Sequence, residues 1–267
     1  MLPEWNPQRL ADKLPVNVAL IGARKMGKSV AMVDLLYRMS KQFKLVIAMV
    51  GTPGCQPTLH KMMDNHWDPR FFFNSWDCAL VERLMLQQET LRSQGIDRHV
   101  AILVDDVVLT SDAAEQISHC AMRGRHWLIS LFMCGVSWST LPKRVRRSLD
   151  ACLVFSCPMA SDVKLLTSEY ANNSGMAQFM MKQLGPHQCL VLETVTKQQR
   201  LYVWRADLHT CESLQIQSSS PRGKSRTRDV GVTPSATRGI PHPTDTASTP
   251  NRTEWRESDE RTSEGQC

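Results

Sequence analysis

The sequence predicts an α/β fold: a mostly parallel sheet flanked by helices, followed by a tail that does not fold. Three observations carry that reading. Short continuous apolar runs alternate with helical patterns, as buried parallel strands and their crossover helices do. One such run, from Pro15 to Ile21, leads straight into Gly22-Ala23-Arg24-Lys25-Met26-Gly27-Lys28-Ser29 and then into a helical pattern. From Gln215 to Cys267 the chain is rich in Ser, Thr, Pro and Arg, with few large apolar residues. A segment of that composition cannot bury enough surface to offset its ordering entropy, so disorder is expected there.

Taken in order, residues 1–14 read as a polar lead-in, and the run before Gly22 as the first strand. The octapeptide Gly22 to Ser29 has the form G-x-x-x-x-G-K-S, the phosphate-binding P-loop pattern. Glycine at 22 and 27 permits backbone turns that a Cβ would block. The amides at the start of the following helix then converge on one anionic group. Lys28 would reach the β- and γ-phosphates, and the Ser29 hydroxyl would bind Mg²⁺. Val30, Val33, Leu36 and Met39 recur at helical spacing, so a helix is expected from Ser29 to about Phe43.

The apolar run Leu45 to Val50 reads as a buried parallel strand. Gly51 to Phe73 reads as irregular, broken by Pro53-Gly54, Pro57 and Pro69. Its aromatics, Trp67 and Phe71-Phe72-Phe73, are expected to pack over the sheet edge, with base stacking as the alternative. His60 and His66 read as polar surface residues. A helix is expected from Trp76 to Gln94, ended by Gly95. The strand Val100 to Val104 then runs into Asp105-Asp106, 77 positions beyond Lys28. An apolar strand ending in acids after a P-loop is the second signature of a nucleotide site, one carboxylate at the strand end approaching Mg²⁺.

Ser111 and Asp112 can cap a helix running to about Met122. Arg123, Arg125 and His126 follow, then a buried strand from Trp127 to Met133. Ser137 to Thr140 form a small polar loop before Leu141-Pro142-Lys143-Arg144-Val145-Arg146-Arg147, and Ala151 to Phe155 is a fifth strand. Residues 161–184 read as mostly helical, with a break at Asn172-Asn173-Ser174-Gly175. Cys189 to Thr194 and Leu201 to Trp204 read as a closing hairpin joined by Lys197-Gln198-Gln199-Arg200. The organisation expected is a lead-in at 1–14, one domain at 15–212 and the tail at 213–267. No internal repeat is found.

Composition narrows the partners. The net charge is +6, and the tail's eight Lys and Arg against seven Asp and Glu leave +5 on the folded part. That excess permits nucleic-acid binding without requiring it. Hydrophobic residues make up 42% and the mean hydropathy is -0.29, which fits a globular domain. No run of 18 apolar residues exists, so no membrane-spanning helix and no membrane partner are predicted. The start, Met1 to Trp5, lacks the basic flank and apolar centre of a secretory leader. Of nine cysteines none form a C-x-x-C pair, and Cys134, Cys152 and Cys189 lie in apolar runs. They read as small buried hydrophobes in a reducing compartment, not as a zinc site.

The order strand, P-loop, helix, strand, helix, strand-Asp105-Asp106, helix, then Gly124-Arg125-His126 through Arg147, resembles the viral genome-packaging ATPases of the FtsK–HerA superfamily. These occur in poxviruses, giant viruses and Polinton-like elements. The resemblance covers about residues 12–208, and its discriminating stretch is 124–147, with Pro142 and Arg146. It implies a RecA-like sheet in which the strand at 127–133 lies between those at 16–21 and 100–104. It implies a homo-oligomeric ring around double-stranded DNA, a capsid or portal partner, and action in a virion or in the host-cell nucleus or cytoplasm. Two departures stand out. Such proteins commonly carry Glu where Asp106 stands, and a Gln sensing the γ-phosphate near Cys134-Gly135-Val136-Ser137, where Ser137 is the available substitute.

The roles expected are then specific. ATP is cradled by Gly22, Ala23, Arg24, Lys25, Met26, Gly27, Lys28, Ser29 and Val30. Mg²⁺ is held by Ser29 and Asp105, and Asp106 orients the water. Arg146 is the first candidate for an arginine supplied to a neighbouring subunit, ahead of Arg144, Arg147, Arg123 and Arg125. Three functions compete: a DNA-translocating packaging ATPase, a P-loop kinase for a small molecule, and a nucleotide-gated DNA-binding or assembly protein.

Overall fold

The computed structural model describes residues 2–52, 57–156, 159–170, 175, 183–194 and 200–207. Eight strands form one sheet: β1 (Asn17–Ile21), β2 (Phe43–Val50), β3 (Phe72–Phe73), β4 (His99–Asp105), β5 (Ile129–Gly135), β6 (Ala151–Val154), β7 (Gln188–Glu193) and β8 (Arg200–Arg205). Their order is β3-β2-β4-β5-β1-β6-β7-β8. Pairing is parallel from β3 through β6 and antiparallel for β6 with β7 and β7 with β8. β5 lies between β1 and β4, the position the resemblance implies, and the closing hairpin is present as β7–β8.

The apolar runs are continuous because helices cover both faces of the sheet. Successive residues point to opposite faces. Val18 and Leu20 join one core with residues of α2 (Lys28–Arg38) and α3 (Pro57–His66). Ala19 and Ile21 join the other, with residues of α4 (Cys78–Ser93), α5 (Ser111–Arg123), α6 (Lys143–Arg147) and α7 (Ala160–Tyr170). All five residues of β1 are buried, the P-loop strand being central. Cys134, Cys152 and Cys189 are buried thiols outside any disulfide.

Several boundaries differ from the sequence reading, each for a physical reason. α2 ends at Arg38, not near Phe43: Phe43 is buried in β2, edge-on to Phe132 with ring centroids 5.9 Å apart. The segment expected to be irregular contains α3, which opens at Pro57, where a missing N–H costs nothing. Phe72-Phe73 pair with Ala48 and Met49 as a parallel edge strand, so these aromatics pack on the sheet. His60 and His66 are exposed, and their rings lie against Phe72 and Tyr37. The cap of α5 is Thr110, whose hydroxyl accepts from the Ala113 amide, and not Ser111 or Asp112. Gly124 to Trp127 form a 3₁₀ turn and Leu128 takes φ 53°, so β5 begins two residues later than expected.

The lead-in is part of the fold. The Trp5 amide donates to the Val203 carbonyl, and Trp5 Nε1 donates to Glu193 Oε1 at 2.7 Å. The Trp5 ring is 2% exposed and meets Trp204 edge-on at 5.5 Å. α1 (Gln8–Ala11) follows, with Arg9 paired to Glu193 and lying over the Tyr202 ring. A polar segment with one buried Trp docks on the β8 edge, which would otherwise expose its hydrogen-bonding groups. The expected turn at Pro53-Gly54, the break at Asn172-Asn173-Ser174, the linker Lys197-Gln198-Gln199 and the tail at 213–267 lie outside the described residues.

Trp5→Ala is expected to cost about 3–5 kcal/mol of stability, as truncating a buried Trp does. Urea denaturation of the two proteins measures it; a loss under about 1 kcal/mol would show the lead-in to be dispensable.

Candidate nucleotide site

The P-loop joins the carboxyl end of β1 to α2. The Gly22 amide donates to Gly135 at the end of β5, and the Ala23 amide donates to Ser156 beyond β6. The turn is thereby held to both neighbouring strands. Gly27 caps α2 with φ 99°, and a Cβ there would lie 2.5 Å from His187 Nδ1. Only glycine combines that backbone with that approach. Lys25 also takes a positive φ, 64°. Arg24 and Lys25 are exposed, while Met26, Ser29 and Val30 are half-buried. The Lys28 ammonium donates to the carbonyls of Gly22 and Ala23, both at 2.8 Å, so the loop folds its cation back over itself.

Asp105 ends β4, two strands from β1, and is 9% exposed. Burial raises its carboxyl above the ordinary value of 3.8, and the neighbouring Asp106 charge adds to this. The Lys28 charge and a hydrogen bond from the Cys134 thiol oppose the rise. Cys134 is the register partner of Asp105 across β4 and β5, and its own thiol is pushed well up by burial. The sequence reading treated Cys134 as packing alone; pairing register, invisible in sequence, makes it the group that touches Asp105. Ser29 and Asp105 offer the oxygen donors that suit a hard divalent cation such as Mg²⁺.

Asp106 is exposed with φ 54°, a conformation Asp tolerates better than most residues. Its carbonyl lies so close to Gly51 that a Cβ there would clash. Asp106 borders a cleft of about 430 Å³ between the ends of β4 and β5, with Gly135, Val136 and Thr140 on the far side. Ser137 is buried, its hydroxyl 2.8 Å from that of Ser139.

The loop after β5 is tied to α7. Asp162 accepts from the amides of Trp138 and Ser139, and Glu169 accepts from Trp138 Nε1 at 2.9 Å. Arg146 completes this cluster: one guanidinium nitrogen sits 2.8 and 3.0 Å from the two Glu169 oxygens, over the Trp138 ring. Its side chain is 11% exposed. Arg146 is therefore engaged within its own subunit, a partner the sequence reading did not find. Arg125 is paired with Asp150, which precedes β6 at the amino edge of the strands, away from the P-loop. Burial pushes the Asp150 carboxyl up, against the Asn17 amide and Arg125. Arg123, Arg144 and Arg147 are exposed.

A P-loop on the central strand of a mostly parallel sheet, with a buried acid ending a strand two places away, places this protein in the P-loop ATPase fold class. Among solved structures, it is similar to ATPases 2 and 3 of EssC from Geobacillus thermodenitrificans, with a TM-score of 0.51 and 14% identity. That match covers 79% of this chain and 46% of the EssC chain. The genome packaging NTPase B204 from Sulfolobus turreted icosahedral virus 2, in complex with ATP-gammaS, is matched over 74% of this chain and 97% of its own. There the TM-score is 0.48 and the identity 15%. The type VII secretion ATPase EccC from Thermomonospora curvata is matched at 0.49 and 15%, over 72% of this chain and 25% of that one. No family model and no curated protein matches the chain.

The raised Asp105 carboxyl has a defined sign in stability. Its proton is held more tightly in the fold than in the unfolded chain. The stability it contributes is present below 3.8 and declines as pH rises through the raised value. In chelator at neutral pH, Asp105→Asn is expected to raise the melting temperature, because a buried charge is gone. The same substitution is expected to weaken Mg²⁺-dependent ATP binding. Melting curves and titrations check both; a destabilised variant would contradict the electrostatic account.

Proposed function

We propose that this protein is an ATP-hydrolysing translocase of double-stranded DNA, a ring-forming motor that packages a viral genome into a capsid. The observation that carries the ATPase reading is the joint placement of the P-loop and Asp105 at one edge of the sheet, with Lys28 acting on Asp105. The packaging reading rests on the resemblance in the stretch 124–147. Mg²⁺ on Ser29 and Asp105 would neutralise charge on the transferred phosphoryl group. The amides and side chains from Gly22 to Val30 hold the nucleotide, with Lys28 as the phosphate cation. Asp106 orients the water. Exposed Lys143, Arg144 and Arg147 on α6 supply charge for DNA phosphates, which are read without regard to sequence. The segment at 213–267 would tether the motor to a capsid or portal protein, in a virion or in the host-cell nucleus or cytoplasm.

Turnover with and without duplex DNA tests this. Stimulated turnover is expected, and Lys28→Ala should lower it more than tenfold while leaving the protein folded. Turnover only with a phosphate acceptor would point to a kinase instead. A nucleotide-gated assembly protein is the second reading, favoured by the exposed Asp106 where the family carries Glu and by Cys134 near the expected Gln. Nucleotide binding without turnover would establish it.

Arg146 is the proposed arginine acting on a neighbour's ATP. To do so it must exchange Glu169 for phosphate oxygens, which its planar fork suits. Such a finger is worth about 10³–10⁵ in rate. Mixing Arg146→Ala with Lys28→Ala subunits is expected to restore part of the wild-type turnover, although each alone is inactive. No recovery in rings containing both would confine Arg146 to its contacts with Glu169 and Trp138.

A further inference from the structure

His187 stands at the P-loop, beside Gly27. It precedes β7, in a turn where the Gly185 amide donates to Gln188 Oε1 and the Gln188 amide returns to the Gly185 carbonyl. Its backbone takes φ 60°, an uncommon conformation for a residue with a side chain. Its Nδ1 is enclosed and has no hydrogen-bond partner among the described residues. Nδ1 sits 2.5 Å, and the His187 Cα 3.0 Å, from where a Gly27 Cβ would be. The ring therefore lies against the loop at the first turn of α2.

The hairpin that carries His187 is fixed to the same helix. The His187 carbonyl accepts from Ala206, and the next amide, Asp207, donates to Asp34 Oδ2 on α2 at 2.9 Å. One end of the hairpin thus lies against the P-loop at Gly27 and the other is bonded to α2 at Asp34. A strained backbone and an enclosed ring nitrogen with no partner among the described residues both cost free energy, and both concentrate where a ligand is met.

Sheet order says which part of a nucleotide that would be. Asp105 is two strands from β1 on one side, and His187 leads into β7, two strands from β1 on the other. The phosphate end is anchored by Lys28 toward Asp105. The nucleoside would then leave the loop on the far side, above the carboxyl end of β6 and the amino end of β7.

We propose that His187, half-buried beside the P-loop, contacts the ribose and base of the bound nucleotide, its ring packing on them. This rests on the reading that the P-loop binds a nucleotide. A strut that only props Gly27 would behave differently, because it would serve the phosphates as much as the nucleoside.

The test compares Mg·ATP with Mg·tripolyphosphate by calorimetric titration of the full chain. Lys28→Ala should weaken both ligands. His187→Ala should weaken ATP about tenfold, the scale of one ring-packing contact, and leave tripolyphosphate within about twofold. His187→Asn, which tolerates the backbone and keeps a polar group, should fall between; it carries the comparison if the alanine variant does not fold. ATP affinity unchanged in His187→Ala, or both ligands weakened equally, overturns the assignment while the P-loop reading stands. A wild-type protein that binds neither ligand overturns both.

Discussion

The chemistry of this protein depends on β1 being buried on both faces at the centre of the sheet. A strand so enclosed cannot shift in register without moving its apolar residues out of two cores at once. Its carboxyl end is therefore a fixed point, and the turn leaving it is bonded to β5 through Gly135 and to Ser156 beyond β6. Lys28 and Ser29 inherit that fixed position. Asp105 inherits its own from β4, through the register that sets it beside Cys134.

Electrostatics at that edge are arranged for a cation and a polyanion. Burial opposes the ionisation of Asp105, and the neighbouring Asp106 charge adds to this. Lys28 relieves part of that, though its ammonium is also held by two loop carbonyls. Phosphate oxygens would replace those carbonyls, and a divalent ion would offset the buried charge of Asp105. Each substitution trades a weak local partner for a stronger one, as expected of a site shaped for a metal-bound triphosphate.

The basic segment after β5 illustrates how charge alone misleads. Four cations stand in five residues from Lys143 to Arg147. Tertiary structure separates them: Arg146 is drawn in by Glu169 and the Trp138 ring, whereas Lys143, Arg144 and Arg147 face solvent. The same cluster anchors the loop containing Ser137, so any motion of Arg146 would be felt beside the cleft that Asp106 borders.

What could be read from the chain was whatever is local. The P-loop is eight consecutive residues, the acids of β4 are adjacent, and a strand buried on both faces must be a continuous apolar run. The closing hairpin and most helices were readable for the same reason. Boundaries failed where a distant partner decided them, as Phe132 does in claiming Phe43 for β2. Contacts were missed wherever they reach across the fold. Cys134 meets Asp105 only through strand register, Glu169 meets Arg146 from another helix, and His187 meets Gly27 from far along the chain. Trp5 and Glu193 are 188 positions apart, and nothing near Trp5 distinguishes it from a polar terminus. Local chemistry is set by neighbours in sequence; these contacts are set by how two apolar faces close over one sheet, which no single stretch of residues contains.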